Sequence, residues 1–121
     1  MTTQQIANRL VELCRTGQNV QAYQELFSQD AVAIEPAFVA DYGGAPETKG
    51  LPALLAKNAK FQEMLEAYHS GSISEPLVAG NFFSVKMEMD VTYKEMGRRL
   101  DEEICVYEVR DGKIVKEQFF Y

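Results

Sequence analysis

The sequence predicts an α+β domain, on three observations. Apolar residues recur at helical spacing up to Leu65, the period changes to two from Ala67, and Asp111-Gly112 marks a tight hairpin between the last two alternating runs. A chain of 121 residues is long enough to bury a core without disulfide or metal staples, and one domain, 1–121, is expected.

Thr2 and Gln5 have capping-box spacing, and Ile6, Leu10, Leu13 and Cys14 share one face until Gly17, which predicts a first helix over 3–16. Asn19 is placed to cap a shorter helix carrying Ala22, Tyr23, Leu26 and Phe27, after which Ser28, Gln29 and Asp30 read as a turn. The run AVAIE, 31–35, follows as a strand. Pro36 to Lys49 has no sustained period and reads as a long loop, a length that is more often functional than not. Gly50 and Pro52 open a third helix with Leu51, Leu54, Leu55, Asn58, Phe61 and Leu65 as its stripe. Four alternating segments then predict an antiparallel meander: AYHSGSIS, FFSVKMEMDVTY, RLDEEICVYEV and KIVKEQFFY. They are joined by Glu75 to Asn81, the loop around Gly97, and Asp111-Gly112.

Composition excludes several function classes. The formal charge of -6 is spread along the chain, which opposes binding to nucleic acid or to an anionic membrane surface. No apolar run approaches the roughly 20 residues that span a bilayer, and MTTQQIANRL lacks a basic stretch followed by an apolar one, so a cytoplasmic protein is expected. Cys14 and Cys105 are far apart and read as free thiols in packing roles. A single histidine and no clustered acidic spacing argue against a metal site. Gly43-Gly44 lacks the strand-to-helix context of a phosphate loop. No organic cofactor is expected.

The order and spacing of LFSQDAVAIEP, KGLPALL, SEPLVAGNFFSVKMEMDVT and VYEVRDGKIVKEQFFY resemble the SnoaL-like branch of the nuclear transport factor two-like superfamily, over essentially the whole chain. The resemblance implies a strongly curved, mostly antiparallel sheet wrapped around three N-terminal helices. It also implies a pocket at the open end of this cone and a homodimer formed through the convex face. Relatives of this kind include ketosteroid isomerases, polyketide cyclases, hydrolases and non-enzymatic binding domains, so the fold alone does not give the function. In the isomerases a catalytic carboxylate precedes a proline after the first strand, and Glu35 before Pro36 holds that position here. Leu10 and Cys105 stand where the isomerases have an oxyanion-hole tyrosine and a protonated aspartate. Without such donors a carboxylate forgoes a term worth about 3 to 4 kcal/mol per donor.

With Cys105 inward, strand alternation sends Glu103 and Tyr107 inward as well. The hairpin register adds Glu117, Phe119 and Tyr121, and the long strand adds Phe83, Val85, Met87 and Met89. His69 shares parity with Ile73. The expected catalytic group is Glu35, His69 and Tyr107, in a pocket walled by Glu103, Cys105, Glu117, Phe83, Met87, Phe119 and Tyr121. Carboxyl groups crowded in an apolar cavity predict at least one raised pKa, at Glu35 or Glu117. Plainer readings stay open. Glu35 as a strand-end cap, His69 as a bonded strand residue, the tyrosines and Met87 as core, and a cone plugged by its own side chains fit the same residues. The expected function is binding of a small apolar molecule, with carboxylate acid–base chemistry of isomerase, cyclase or hydrolase type. The alternative is a non-catalytic ligand-binding or dimeric scaffold domain.

Overall fold

Thr2 starts the first helix reciprocally: its hydroxyl accepts from the Gln5 backbone N–H at 3.1 Å, and the Gln5 side chain accepts from the Thr2 N–H at 2.8 Å. In the computed structural model, which describes residues 1–121, this helix, α1, spans Thr3–Arg15 and buries Ile6, Ala7, Leu10, Val11 and Leu13. The second, α2, spans Asn19–Leu26. Asn19 is its first residue rather than its cap, because Gln18 holds the cap position without a side-chain bond.

The expected turn at Ser28 to Asp30 is instead part of strand β1, Phe27–Ile34. Phe27 faces Ile114 but Val32 faces Lys116, so five steps along β1 match two on its partner and the surplus bulges outward. The Asp30 N–H bonds Ser28 Oγ at 3.2 Å within that bulge. The polar triplet therefore bends a strand rather than ending one.

The segment expected as an open loop contains a 3₁₀ turn, Ala37–Tyr42, and a three-residue strand, β2, Glu47–Lys49. Both are too short to produce a periodic signal. Helix α3 spans Leu51–Glu63 with Pro52 in its first turn, where its missing N–H costs least. The meander follows as β3, Leu65–Ile73, β4, Leu77–Ala79, β5, Phe82–Tyr93, β6, Gly97–Arg110, and β7, Lys113–Phe120. Strand β4 lies inside the expected connection between Glu75 and Asn81. Asp111 (φ 52°) and Gly112 (φ 76°) both occupy the left-handed region that a two-residue hairpin turn requires.

The sheet is open, in the order β2-β1-β7-β6-β5-β3 with β4 also on β5. Only β1 and β7 pair in parallel. Its register aligns Phe83 with Tyr107 and Glu117, Val85 with Cys105 and Phe119, and Met87 with Glu103, on the face that packs against the helices. Ile6, Leu10, Leu13, Leu26 and Leu54 meet Phe83, Val85, Cys105, Tyr107 and Ile114 in one core. Phe82, Ile104 and Phe120 fall on the opposite face and are exposed. No helix is long and apolar enough to cross a membrane.

Candidate functional site

Glu35 follows the last residue of β1, and its backbone N–H is fixed by the Pro46 carbonyl at 2.8 Å. Its side chain, 14% exposed, accepts from Lys57 Nζ at 2.5 Å through Oε1 and from the Tyr121 hydroxyl at 2.7 Å through Oε2. Lys57 comes from α3, three residues after Leu54 and four before Phe61, which places it on the buried stripe of that helix. Its ammonium also lies 4.7 Å from the centre of the Phe119 ring. Tyr121 packs edge-on against Phe38, with ring centres 5.8 Å apart.

Glu117 on β7 is 2% exposed, and its carboxyl accepts from the Tyr23 hydroxyl of α2 at 3.0 Å. Burial pushes its pKa up to about 7; the Lys57 charge and the Tyr23 bond oppose this, while Glu35 and Glu103 add to it. Glu103, across the same face, is also raised, first by burial and then by the charge of Glu35. Its carboxyl accepts a 3.6 Å contact from Cys105 Sγ. Burial and the neighbouring Glu103 keep that thiol strongly protonated, so Cys105 is a weak donor and no nucleophile.

Four of the expected wall residues, Glu103, Glu117, Phe119 and Tyr121, thus surround Glu35 and Lys57. Cys105 lies beneath them, and Met87, partly buried, borders Glu103 along β5 and β6. The remaining expectations are corrected. Phe83 does not join the carboxyl cluster: it is 1% exposed and stacks on Tyr107 at 4.7 Å, with ring planes 16° apart. Tyr107 is held from its other side by Phe27, edge-on at 6.4 Å, and so sits in the core with no opening toward a ligand. These rings belong to the core that packs the helices on the sheet.

His69 does not join the cluster. Tyr68 faces Val91 while Ser70 faces Asp90, so His69 is the surplus residue of a bulge and the parity that links it to Ile73 is broken. It is exposed, with Nε2 2.7 Å from Thr92 Oγ1, and Thr92 alternates with the buried Val91 and Tyr93. That puts the imidazole on the outer face. Tyr68 instead reaches over the inner face: its hydroxyl occupies the place a Cβ on Gly71 would take, 1.9 Å away, so glycine permits this approach.

Two site residues escaped the sequence reading. Lys57 was signalled by a charge on an apolar helical stripe, and Tyr23 looked like one more core aromatic. Two clefts lie away from the carboxyl cluster. One, of about 430 Å³, runs between α1 and the segment after β3, at Asn8, Arg15 and Glu75. The other, of about 340 Å³, borders Leu77, Phe82 and Val106 on the outer face. The carboxyl cluster is partly open to solvent, with Lys57 32% and Tyr121 56% exposed.

A family model described as the SnoaL-like domain matches residues 1–121. A solved structure from Mesorhizobium loti, of a candidate SnoaL-like polyketide cyclase, is 34% identical, covers 100% of both chains and superposes with a TM-score of 0.91. TerC, co-crystallised with polyporic acid, is 15% identical with a TM-score of 0.78, over 99% of this chain and 92% of its own. A protein of ketosteroid isomerase-like fold from Catenulispora acidiphila, in complex with trimethylamine, is 20% identical with a TM-score of 0.72, over 96% of this chain and 84% of its own. These last two share the fold. No curated protein matches the sequence.

Proposed function

The chain belongs to the SnoaL-like family, and from that premise we propose that it binds a small, largely apolar molecule at the mouth of its cone and moves a proton on it. Glu35 is the base. Glu103, whose protonated form is favoured by burial and by the charge of Glu35, is the neighbouring carboxyl coupled to it. The observation that carries this reading is the convergence of Glu35 after β1, Glu103 on β6 and Glu117 on β7 around one ammonium, beside Met87, Phe119 and Tyr121. Few polar groups among apolar side chains is the usual makeup of a small-molecule site.

A thermal-melt screen of enones, phenols and polyporic acid tests the binding step. A ligand at a hundredfold excess over its dissociation constant stabilises by about 2.7 kcal/mol, which for a domain of this size raises the melting temperature on the order of 10 °C. A panel that leaves the melting temperature unmoved speaks for the second reading, a non-catalytic scaffold. The stacking of Phe83 on Tyr107 within the core favours that alternative.

A second copy of the chain is the proposed partner for the outer sheet face, where Leu77, Phe82, Ile104 and Phe120 are each about half exposed or more. Sedimentation is expected to give a dimer, and Phe82→Asp with Ile104→Asp to give a monomer. A wild-type monomer at working concentrations removes this assignment.

A further inference from the structure

The inner face offers few hydrogen-bond donors to a ligand. Tyr107 is enclosed, the Tyr23 hydroxyl is committed to Glu117, the Tyr121 hydroxyl to Glu35, and the Cys105 thiol to Glu103. Lys57 differs from all of these. An ammonium has three N–H donors. Glu35 Oε1 takes one at 2.5 Å, and the Phe119 ring at 4.7 Å faces another side of the head. The side chain is 32% exposed, so a donor remains for an incoming oxygen. The position is also a costly one for a charge, on the same face of α3 as the buried Leu54, and such a head group needs compensation. Of the three carboxyls near it, only Glu35 bonds it directly.

We propose that Lys57 receives the ligand's oxygen and holds the negative charge that develops there, so that the ligand is a small unsaturated molecule whose carbonyl, enol or phenol oxygen can carry charge. This rests on the reading of Glu35 as the base. The two groups are in direct contact, so base and electrophile face the same space. A C–H bond next to a carbonyl breaks, its proton forms an O–H bond with the Glu35 carboxylate, and the electron pair shifts onto the carbonyl oxygen. A Lys57 N–H then bonds that oxygen, and return of the proton to carbon restores both groups. Nothing is oxidised and nothing leaves. A lysine on α3 thereby supplies the donor that Leu10 and Cys105 do not.

The probe is 4-nitrophenol, whose absorbance distinguishes phenol from phenolate and which has no acidic carbon proton. Bound to the wild type, it is expected to ionise at lower pH than it does free in solution. Lys57→Met, which keeps an apolar stem, is expected to bind the phenolate at least tenfold more weakly, while Lys57→Arg retains the preference. Lys57→Met binding phenolate as tightly as the wild type overturns the proposal. So does a wild type that fails to bind the probe or to shift its ionisation, a result that needs no variant to fold. Because the probe surrenders no carbon proton, loss of the Lys57 assignment is read separately from loss of the Glu35 assignment.

Discussion

Replacing Glu117 by glutamine is expected to stabilise the protein by about 3 kcal/mol at pH 8 and by less than about 1 kcal/mol at pH 5. The folded protein raises the Glu117 pKa from 4.5 to about 7, chiefly by burial. A group whose folded pKa lies above its unfolded one contributes stability that is fully present below the unfolded value and is lost as pH rises through the folded value. The loss therefore falls between about pH 4.5 and pH 7, and at about 1.4 kcal/mol per tenfold it amounts to about 3 kcal/mol. Glutamine has the same shape, can still accept from the Tyr23 hydroxyl, and has no charge to desolvate. Glu25, lowered to about 2 by its Arg9 hydrogen bonds, loses its contribution only as pH falls through that value, and the raised thiols and tyrosines titrate above this window. Glu103 acts in the same sense as Glu117, so the comparison is variant against wild type at each pH. Urea unfolding at pH 5 and pH 8 measures the difference. Equal stabilities of the two proteins at pH 8 contradict the buried, crowded placement of Glu117.

The reach of the sequence is clearest where one periodicity operates without interruption. From Phe82 to Glu108 alternation determines which residues face inward; a bulge between Ile114 and Lys116 interrupts it on β7, and beyond that bulge Glu117 and Phe119 join Glu103 and Cys105 on the inner face. Parity fails at His69 because a bulge inserts one residue, and a bulge leaves no mark in an alternating pattern. Tyr107 is inward as expected, yet alternation does not separate a pocket wall from a packed core. That distinction depends on Phe27 and Phe83 closing over the ring from other elements. Ser28 to Asp30 carries turn chemistry, but pairing with β7 keeps it in the sheet. Lys57 was visible as a lysine at i+3 from Leu54, but its meaning depends on the end of β1 arriving beside it, a contact between residues 22 positions apart. Tyr23 and Glu117 meet across a still greater separation, 94 positions.

Glu35→Gln carries the other large expected effect. Positioned proton transfer contributes a factor of about 100 to 10,000, and glutamine keeps the shape and an acceptor oxygen for Lys57 or Tyr121 while removing the basicity. The effect should fall on the chemical step rather than on binding, since Met87 and Phe119 are untouched and supply the apolar contact. Proton abstraction can be followed without knowing the eventual product, because a carbon acid held beside a base exchanges its proton with solvent deuterium. The decisive measurement is proton NMR of that exchange in D₂O, on a carbonyl compound that binds the wild type, with wild type and Glu35→Gln compared at the same occupancy. The account predicts exchange that is about 100 to 10,000 times slower in the variant. Equal rates in the two proteins contradict it.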